Sequence, residues 1–421
     1  MDLPCVQDRE SPSISEANSL DDICFPTDEH EDDNISSPSS SFSSQNKRRR
    51  LSPRLNYNNY VSNSKYHIPQ FVSSWKLYHA ERLHIFYSKC YTETPNDLLN
   101  LLDKTIEPFS HQQKYYIERI KSFLKFESCE PGVSRSRSSV FLRDIYIRLE
   151  PVFGEIIKEL RSIFEGGYKA KNSNPDYYHI DVLASYRVFE FIEELSILLK
   201  LFQDKYNQLQ EVAETYYYIP LCQSFAQMCH LKVQYGRPTK WINLADQKIV
   251  SSVPDLCFFQ KGKQLDDLVL SKSQILVSVV EVKKDSRQKC EEPPIKIGKC
   301  SDEKDEGSCR PEILKDLTES VLGQHAGELL LEIRRKDHVT KVENGVKKFM
   351  KPGMVVDGTK VYFTILKMSD NHIEELEKKK KYDDSIDEAT IYYAKPLDLI
   401  FKEDRDILID SFMMLNNIDF S

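Results

Sequence analysis

No run of apolar residues in this 421-residue chain approaches the roughly 20 needed to cross a bilayer. Even the stretch ILVSVVEV carries Glu281 and then runs into Lys283, Lys284 and Asp285, so no membrane partner is expected. Glycine is scarce at 13 residues, and there is no Gly-rich loop of the kind that cradles phosphates, no Cys-His-Asp signature and no finger motif. The ten cysteines are irregularly spaced, which excludes a disulfide framework and predicts reduced thiols in an intracellular protein. Cys290, Cys300 and Cys309 share one loop but lack the close pair and fourth ligand of a zinc site. Cys222 and Cys229, seven apart, fall on one helical face and are expected in a core. His230 and His325 each stand alone in sequence and are expected as structural partners.

A hydrophobic share of 40% and an aromatic share of 11% are those of a globular chain. The length predicts two folded units and a tail. Eleven acids and Arg9 give residues 1–46 a formal charge of −10, so the total of −8 leaves residues 47–421 at +2. Overall charge therefore neither demands nor excludes a nucleic-acid partner. Residues 1–60 are rich in Ser, Pro, Asp, Glu and Asn, bury too little to offset ordering entropy, and are predicted to be disordered. Within them Lys47-Arg48-Arg49-Arg50 reads as a nuclear-import signal, which implies an import receptor as partner and a nuclear location.

Residues 61–205 are predicted to form a helical domain. Thr94-Pro95-Asn96-Asp97 combines an N-cap, a proline at the first helical position and an acid three residues after the cap, and Ser110 starts a second helix. Apolar residues at helical spacing mark core-facing helices in PVFGEIIKELRSIF and VFEFIEELSILLKLF. A further helix is expected in LCQSFAQMCHL, with Pro220 at its start or at a kink. Across 206–421 the texture changes. VPDLCFF at 253–259 and QILVSVVEVK at 274–283 read as strands, the second too apolar to have a wet face. Residues 284–311 read as a surface insertion loop. After it come a helix with Leu314, Leu317, Val321, Leu322, Leu329 and Leu330, a hairpin turning at Asp357-Gly358, the strand TIYYA and a last helix.

The chemistry is concentrated in two places, Asp255 after Pro254 and the Glu281-Val282-Lys283 triplet. Residues two apart on a strand share a face, so Glu281 and Lys283 project together while Val282 packs the other way. Hydrolysis of a phosphodiester needs charge offset at phosphorus and a source of hydroxide near neutral pH. Two hard carboxylates that recruit Mg2+ or Mn2+, with a lysine beside them, supply both.

These residues resemble the PD-(D/E)XK nuclease superfamily, whose core is a mixed sheet flanked by helices in the order helix, strand, strand, strand, helix, strand. VPDLCFF matches the second strand, VVEVKK the third, the helix with Gln324 the following element, and KVYFTILKM the last core strand. The resemblance covers about residues 206–400 and implies an α/β, restriction-endonuclease-like fold behind the helical domain. It further implies that Asp255, Glu281 and the Val282 carbonyl hold the metal, that Lys283 activates water and that Gln324 supports the site. A first-helix glutamate is expected at Glu214, with Glu211 as second candidate. Similar-looking domains occur in transposon-derived and Crinkler-like proteins. The expected activity is metal-dependent cleavage of DNA. The competing expectation is the same fold without the reaction, binding nucleic acid or protein in the nucleus. A helix across 253–283 would undo both.

Overall fold

The computed structural model describes residues 68–127, 139–165, 177–207, 217–244, 247–261, 265, 275–283, 310–334, 338–378 and 387–419. The tail with Lys47 to Arg50, Glu211, Glu214, Cys290, Cys300, Cys309 and nearly all of the 284–311 loop lie outside them.

In chain order the elements are α1 (Leu77–Arg82), β1 (Ile85–Tyr87), α2 (Pro95–Leu99), α3 (His111–Phe123), α4 (Ser139–Phe164), α5 (Tyr178–Asn207) and α6 (Tyr218–Met228). Then come β2 (Leu231–Tyr235), β3 (Thr239–Leu244), β4 (Gln247–Ser252), β5 (Leu256–Gln260), β6 (Leu276–Lys283), α7 (Glu319–Ile333), β7 (Val339–Glu343) and β8 (Val346–Asp357). The chain closes with β9 (Lys360–Ser369), α8 (Asp370–Lys378), β10 (Ala389–Tyr393), β11 (Leu397–Asp398) and α9 (Lys402–Asn416).

The caps form as the sequence indicates. Thr94 Oγ1 accepts the Asp97 N–H while Asp97 Oδ2 accepts the Thr94 N–H, both at 3.1 Å, and Ser110 and Gln113 exchange the same pair of bonds. Pro220 is the third residue of α6, where its missing N–H has no helical partner to lose. Helix α4 starts twelve residues ahead of the Pro151 where the apolar pattern begins, leaving that proline inside the helix at an exposed position.

A large mixed sheet runs β1-β10-β9-β8-β6-β5-β2, with β7 on β8 and β11 on β9, and β3–β4 form a separate hairpin. Between 253 and 283 the described residues form β5 and β6 and no helix. β2, β5 and β6 are successive antiparallel neighbours. The chain then crosses through α7 to β8, which lies parallel to β6 with Val282 opposite Val356. This corrects one assignment: KVYFTILKM is β9, an antiparallel partner of β8, and β8 itself borders β6. The hairpin signal at Asp357-Gly358 is genuine, since Gly358 takes the positive φ (64°) that joins β8 to β9.

The stretch 61–205, expected as a helical domain, also supplies a strand to the sheet. β1 pairs with β10 at the sheet edge, and the described residues from Ile68 onward fall in one compact unit. The apolar stripes of α3, α4, α5 and α6 pack with α9 on one sheet face, in a core shared with Val280, Val282, Met354 and Val356. Cys222 and Cys229 lie in that core as expected. The other face carries α7, the segment around Val72 and Trp75, and the inner side of β3–β4. Covered on both faces, β6 is buried from Leu276 to Val282, as its unbroken apolar run requires.

Arg405 closes the first core. Fully buried, its guanidinium donates to the carbonyls of Leu399, Ile400, Leu124 and Phe126 at 2.8–3.2 Å and lies 3.9 Å from the Phe126 ring centre. Replacing it by Met leaves these acceptors without their donor. Arg405→Met is predicted to lower unfolding stability by about 3 kcal/mol in urea titration. An unchanged midpoint and slope would show that the four bonds do not matter to the fold.

Candidate functional site

Pairing between β5 and β6 ends at Leu256 opposite Val280. Two residues further along β6, Val282 has no β5 backbone across from it. The Asp255 side chain takes that place, its Oδ2 accepting the Val282 N–H at 2.8 Å. The N–H and C=O of one strand residue point to the same side. The neighbouring Lys283 carbonyl faces β8, where it accepts the Gly358 N–H at 3.0 Å. The Val282 carbonyl is therefore directed to the Asp255 side.

After the register shift between Phe258 and Phe259, residues 279, 281 and 283 face α7, while Val280 and Val282 face the opposite core. Glu281 and Lys283 therefore meet that helix. Thr318 caps α7 by accepting the Val321 N–H. Gly323 and Gly327 press it against the preceding layer: a Cβ at Gly323 would lie 2.2 Å from the Lys76 carbonyl carbon, and one at Gly327 2.6 Å from Val72 Cγ1. Between that contact and the sheet, a polar stripe at four-residue spacing runs along the helix through Gln324, Glu328 and Glu332.

Glu281 and Glu328 are 0% and 1% exposed. The Lys283 ammonium contacts Glu281 Oε1 and also donates to Gln324 Oε1 at 3.3 Å, and Gln324 Nε2 donates to Glu328 Oε1 at 3.2 Å. A hydrogen bond between the carboxyl groups of Glu328 and Glu281 closes the ring of four side chains. Burial pushes the Glu328 carboxyl well above the usual range, and the charge of Glu281 and the bond to it add to this, against the bond from Gln324. Burial also raises Glu281, offset by the bond from Glu328, raised again by Asp255 and lowered by Lys283. Both carboxyls are thus raised, Glu328 the further. Asp255 is raised by burial too, opposed by the Val282 N–H and by Lys283.

Asp255, Glu281, Val282, Lys283 and Gln324 therefore meet at one place. Asp357, paired in register with Lys283 and 1% exposed, flanks them on β8. Sequence reading missed Glu328. Its signal was present in QHAGELLLE, an acid four residues after Gln324 within a run otherwise buried on nearly every side. His325 has the structural role expected of it: fully buried, it pairs with Thr364 Oγ1 at 2.7 Å, and burial pushes its pKa down to about 3.

The residues fit a divalent cation in part. Apart from the Lys283 ammonium and the Glu328 carboxyl, no side chain or backbone N–H among the described residues donates to Glu281, so this buried acid keeps acceptor capacity. Against that, no group of three or more His, Cys, Asp or Glu among the described residues is disposed to hold a metal ion. The donors available are two acids and one backbone carbonyl. No helix among the described residues is long and apolar enough to cross a membrane. No protein-family model matches the chain, and no curated protein matches it.

The buried carboxyl of Glu328 sets a pH dependence. Its raised folded-state pKa means the folded chain holds a proton that the unfolded chain releases near the ordinary 4.5, so this contribution to stability is complete below that pH and is lost as pH rises through the folded value. Glu328→Gln removes the titration and keeps the shape. It is predicted to raise the melting temperature relative to wild type more at pH 8 than at pH 5. An offset independent of pH would contradict the assignment of the proton to Glu328.

Proposed function

We propose that the chain is a metal-dependent nuclease-like protein of the PD-(D/E)XK type, hydrolysing phosphodiester bonds of DNA in the nucleus. The observation that carries this reading is the Asp255 Oδ2 to Val282 N–H bond, which holds an acid from the start of β5 beside the Glu281 and Lys283 pair at the end of β6. The order α6, β2, β5, β6, α7, β8 supports it, with β3–β4 as an insert between the first two core strands.

In this reading Asp255, Glu281 and the Val282 carbonyl hold Mg2+ or Mn2+. The cation, when bound, polarises the phosphate and supplies hydroxide near neutral pH. The chain's own groups do the rest. Lys283 Nζ, on a side chain 29% exposed and held between Glu281 and Gln324, orients the attacking water and offsets negative charge gathering on the phosphate. Gln324 fixes that ammonium from the helix side. Glu328 lies against Glu281 from the helix side and is bonded by Gln324.

A second reading is favoured by one observation: Lys283 is already paired with Glu281 and held by Gln324, with no three-ligand group beside them among the described residues. On that reading the fold binds nucleic acid or protein without cutting. One experiment separates the two. Purified protein with Mg2+ or Mn2+ is predicted to nick supercoiled DNA, and Asp255→Asn, which can still accept the Val282 N–H, and Lys283→Ala should each lower the rate by about 100-fold or more with melting temperature held. Equal nicking by wild type and Asp255→Asn would assign the cleavage to a contaminant and favour the second reading.

The nuclear part has its own test. A tagged chain with Lys47, Arg48, Arg49 and Arg50 changed to alanine is predicted to move to the cytoplasm. Unchanged nuclear retention would remove the basic run, and the import receptor as its partner, from the account.

A further inference from the structure

The β3–β4 hairpin is inserted between β2 and β5 and leads directly into Asp255. It is fastened there at its base, through both strands. At its base the Gly236 N–H donates to the Asp255 carbonyl at 3.3 Å, in so close an approach that a Cβ on Gly236 would sit 1.6 Å from the Pro254 oxygen. On the inner side Thr239 Oγ1 donates to Glu332, the last member of the polar stripe on α7 that begins at Gln324. The Ser251 N–H donates to the Gln70 carbonyl at 2.8 Å, and Phe71 bridges Ser251 in parallel. The hairpin is therefore held in place beside the acids.

Its two faces differ. Trp241, Leu244 and Val250 face inward and are buried. Across the outer face Phe71, Ser251 and Lys240 form one row, and Ile249 and Ile242 are direct partners in the next. Phe71 is 57% exposed and Ile242 61%, and Ile249 is exposed too. Lys240 and Arg237 are also exposed. Residues 231–252 contain four basic residues and one acid, Asp246. The acids of α8 belong to the other side, where Arg334 pairs with Glu377 at 2.8 Å and covers the Trp241 ring at 5.1 Å.

Exposed aromatic and aliphatic side chains with cations among them match an unpaired nucleotide strand, whose bases need a flat apolar partner and whose phosphates need positive charge. Ser251 is four residues from Asp255, at most about 14 Å of extended chain. A strand with one phosphate at Asp255 would pass this face within a few nucleotides. We propose that the outer face of β3–β4, with Phe71, is a binding platform for single-stranded nucleic acid, which makes the substrate one with an unpaired segment beside the cleaved bond. The placement rests on the nuclease reading above, while binding to this face can be measured without cleavage.

The test is fluorescence anisotropy with the full chain in EDTA, using a labelled oligothymidylate of about 20 nucleotides and a duplex of equal length. Wild type is expected to bind the single strand more tightly than the duplex. Phe71→Ala with Ile242→Ser is expected to weaken that binding roughly tenfold, and Lys240→Glu to weaken it and make it less salt-dependent. Unchanged affinity in the double variant, or duplex preference in wild type, would overturn the proposal. So would a dimer in wild type that becomes monomeric in the double variant with oligothymidylate binding intact, since the face would then be a protein interface. Single-strand binding without nicking in Mg2+ would sink the nuclease reading and leave the platform standing. Nicking by a chain whose single-strand binding ignores these substitutions would do the reverse.

Discussion

The candidate site depends on a backbone group that the sheet leaves unpaired. Because β5 stops pairing at Leu256, the Val282 N–H would be bare on the β5 side, and an unsatisfied buried donor costs about 1–3 kcal/mol. Asp255 removes that cost by accepting the bond. In doing so it is drawn to the end of β6 from which Glu281 and Lys283 project. The β5–β6 pairing brings the acid before β5 to the end of β6, and this bond turns its carboxylate toward the pair there. With it they share one gap.

The second constraint is the crowding of α7. Glycines at 323 and 327 admit the layer containing Lys76, Val72 and Trp75, while the opposite side of the helix lies on the sheet. The residues left between these contacts carry polar groups into a place with little water. Ion pairing and hydrogen bonding in the ring with Lys283 and Gln324 offset part of the cost of burying Glu281 and Glu328, and protonation of Glu328 offsets more. Acids held at such cost are a recognised mark of functional sites, although structural networks also produce them. The same stripe ends at Glu332, which grips the β3–β4 hairpin through Thr239. One helix thus positions both the acids and the surface that would guide a strand toward them.

Much of this was legible in the residues. The apolar run at 276–282 read as a strand covered on both faces, as a strand it put Glu281 and Lys283 on one side, and Asp357-Gly358 read as a turn. Thr94 and Ser110 announced their helices through local bonds. Less legible were strands too short to show a period, β1 and β3 among them, and the choice of β8 over β9 as the neighbour of β6. Helical stripes in residues 61–205 revealed packing without revealing what they pack on. That partner proved to be the sheet formed by the later half of the chain.

Alternation, capping and turn chemistry act between residues a few positions apart, so the sequence by itself determined the central strand, the shared direction of Glu281 and Lys283, and the caps and turns around them. Register, the approach of α7 and the depth of Glu328 depend on contacts between segments dozens of residues apart. Only the tertiary structure decided that Asp255 would bond Val282, that an acid on α7 would close the ring, and that a short hairpin would stand beside it. Those outcomes follow from how buried polar groups find partners once the layers are packed, which no local pattern records.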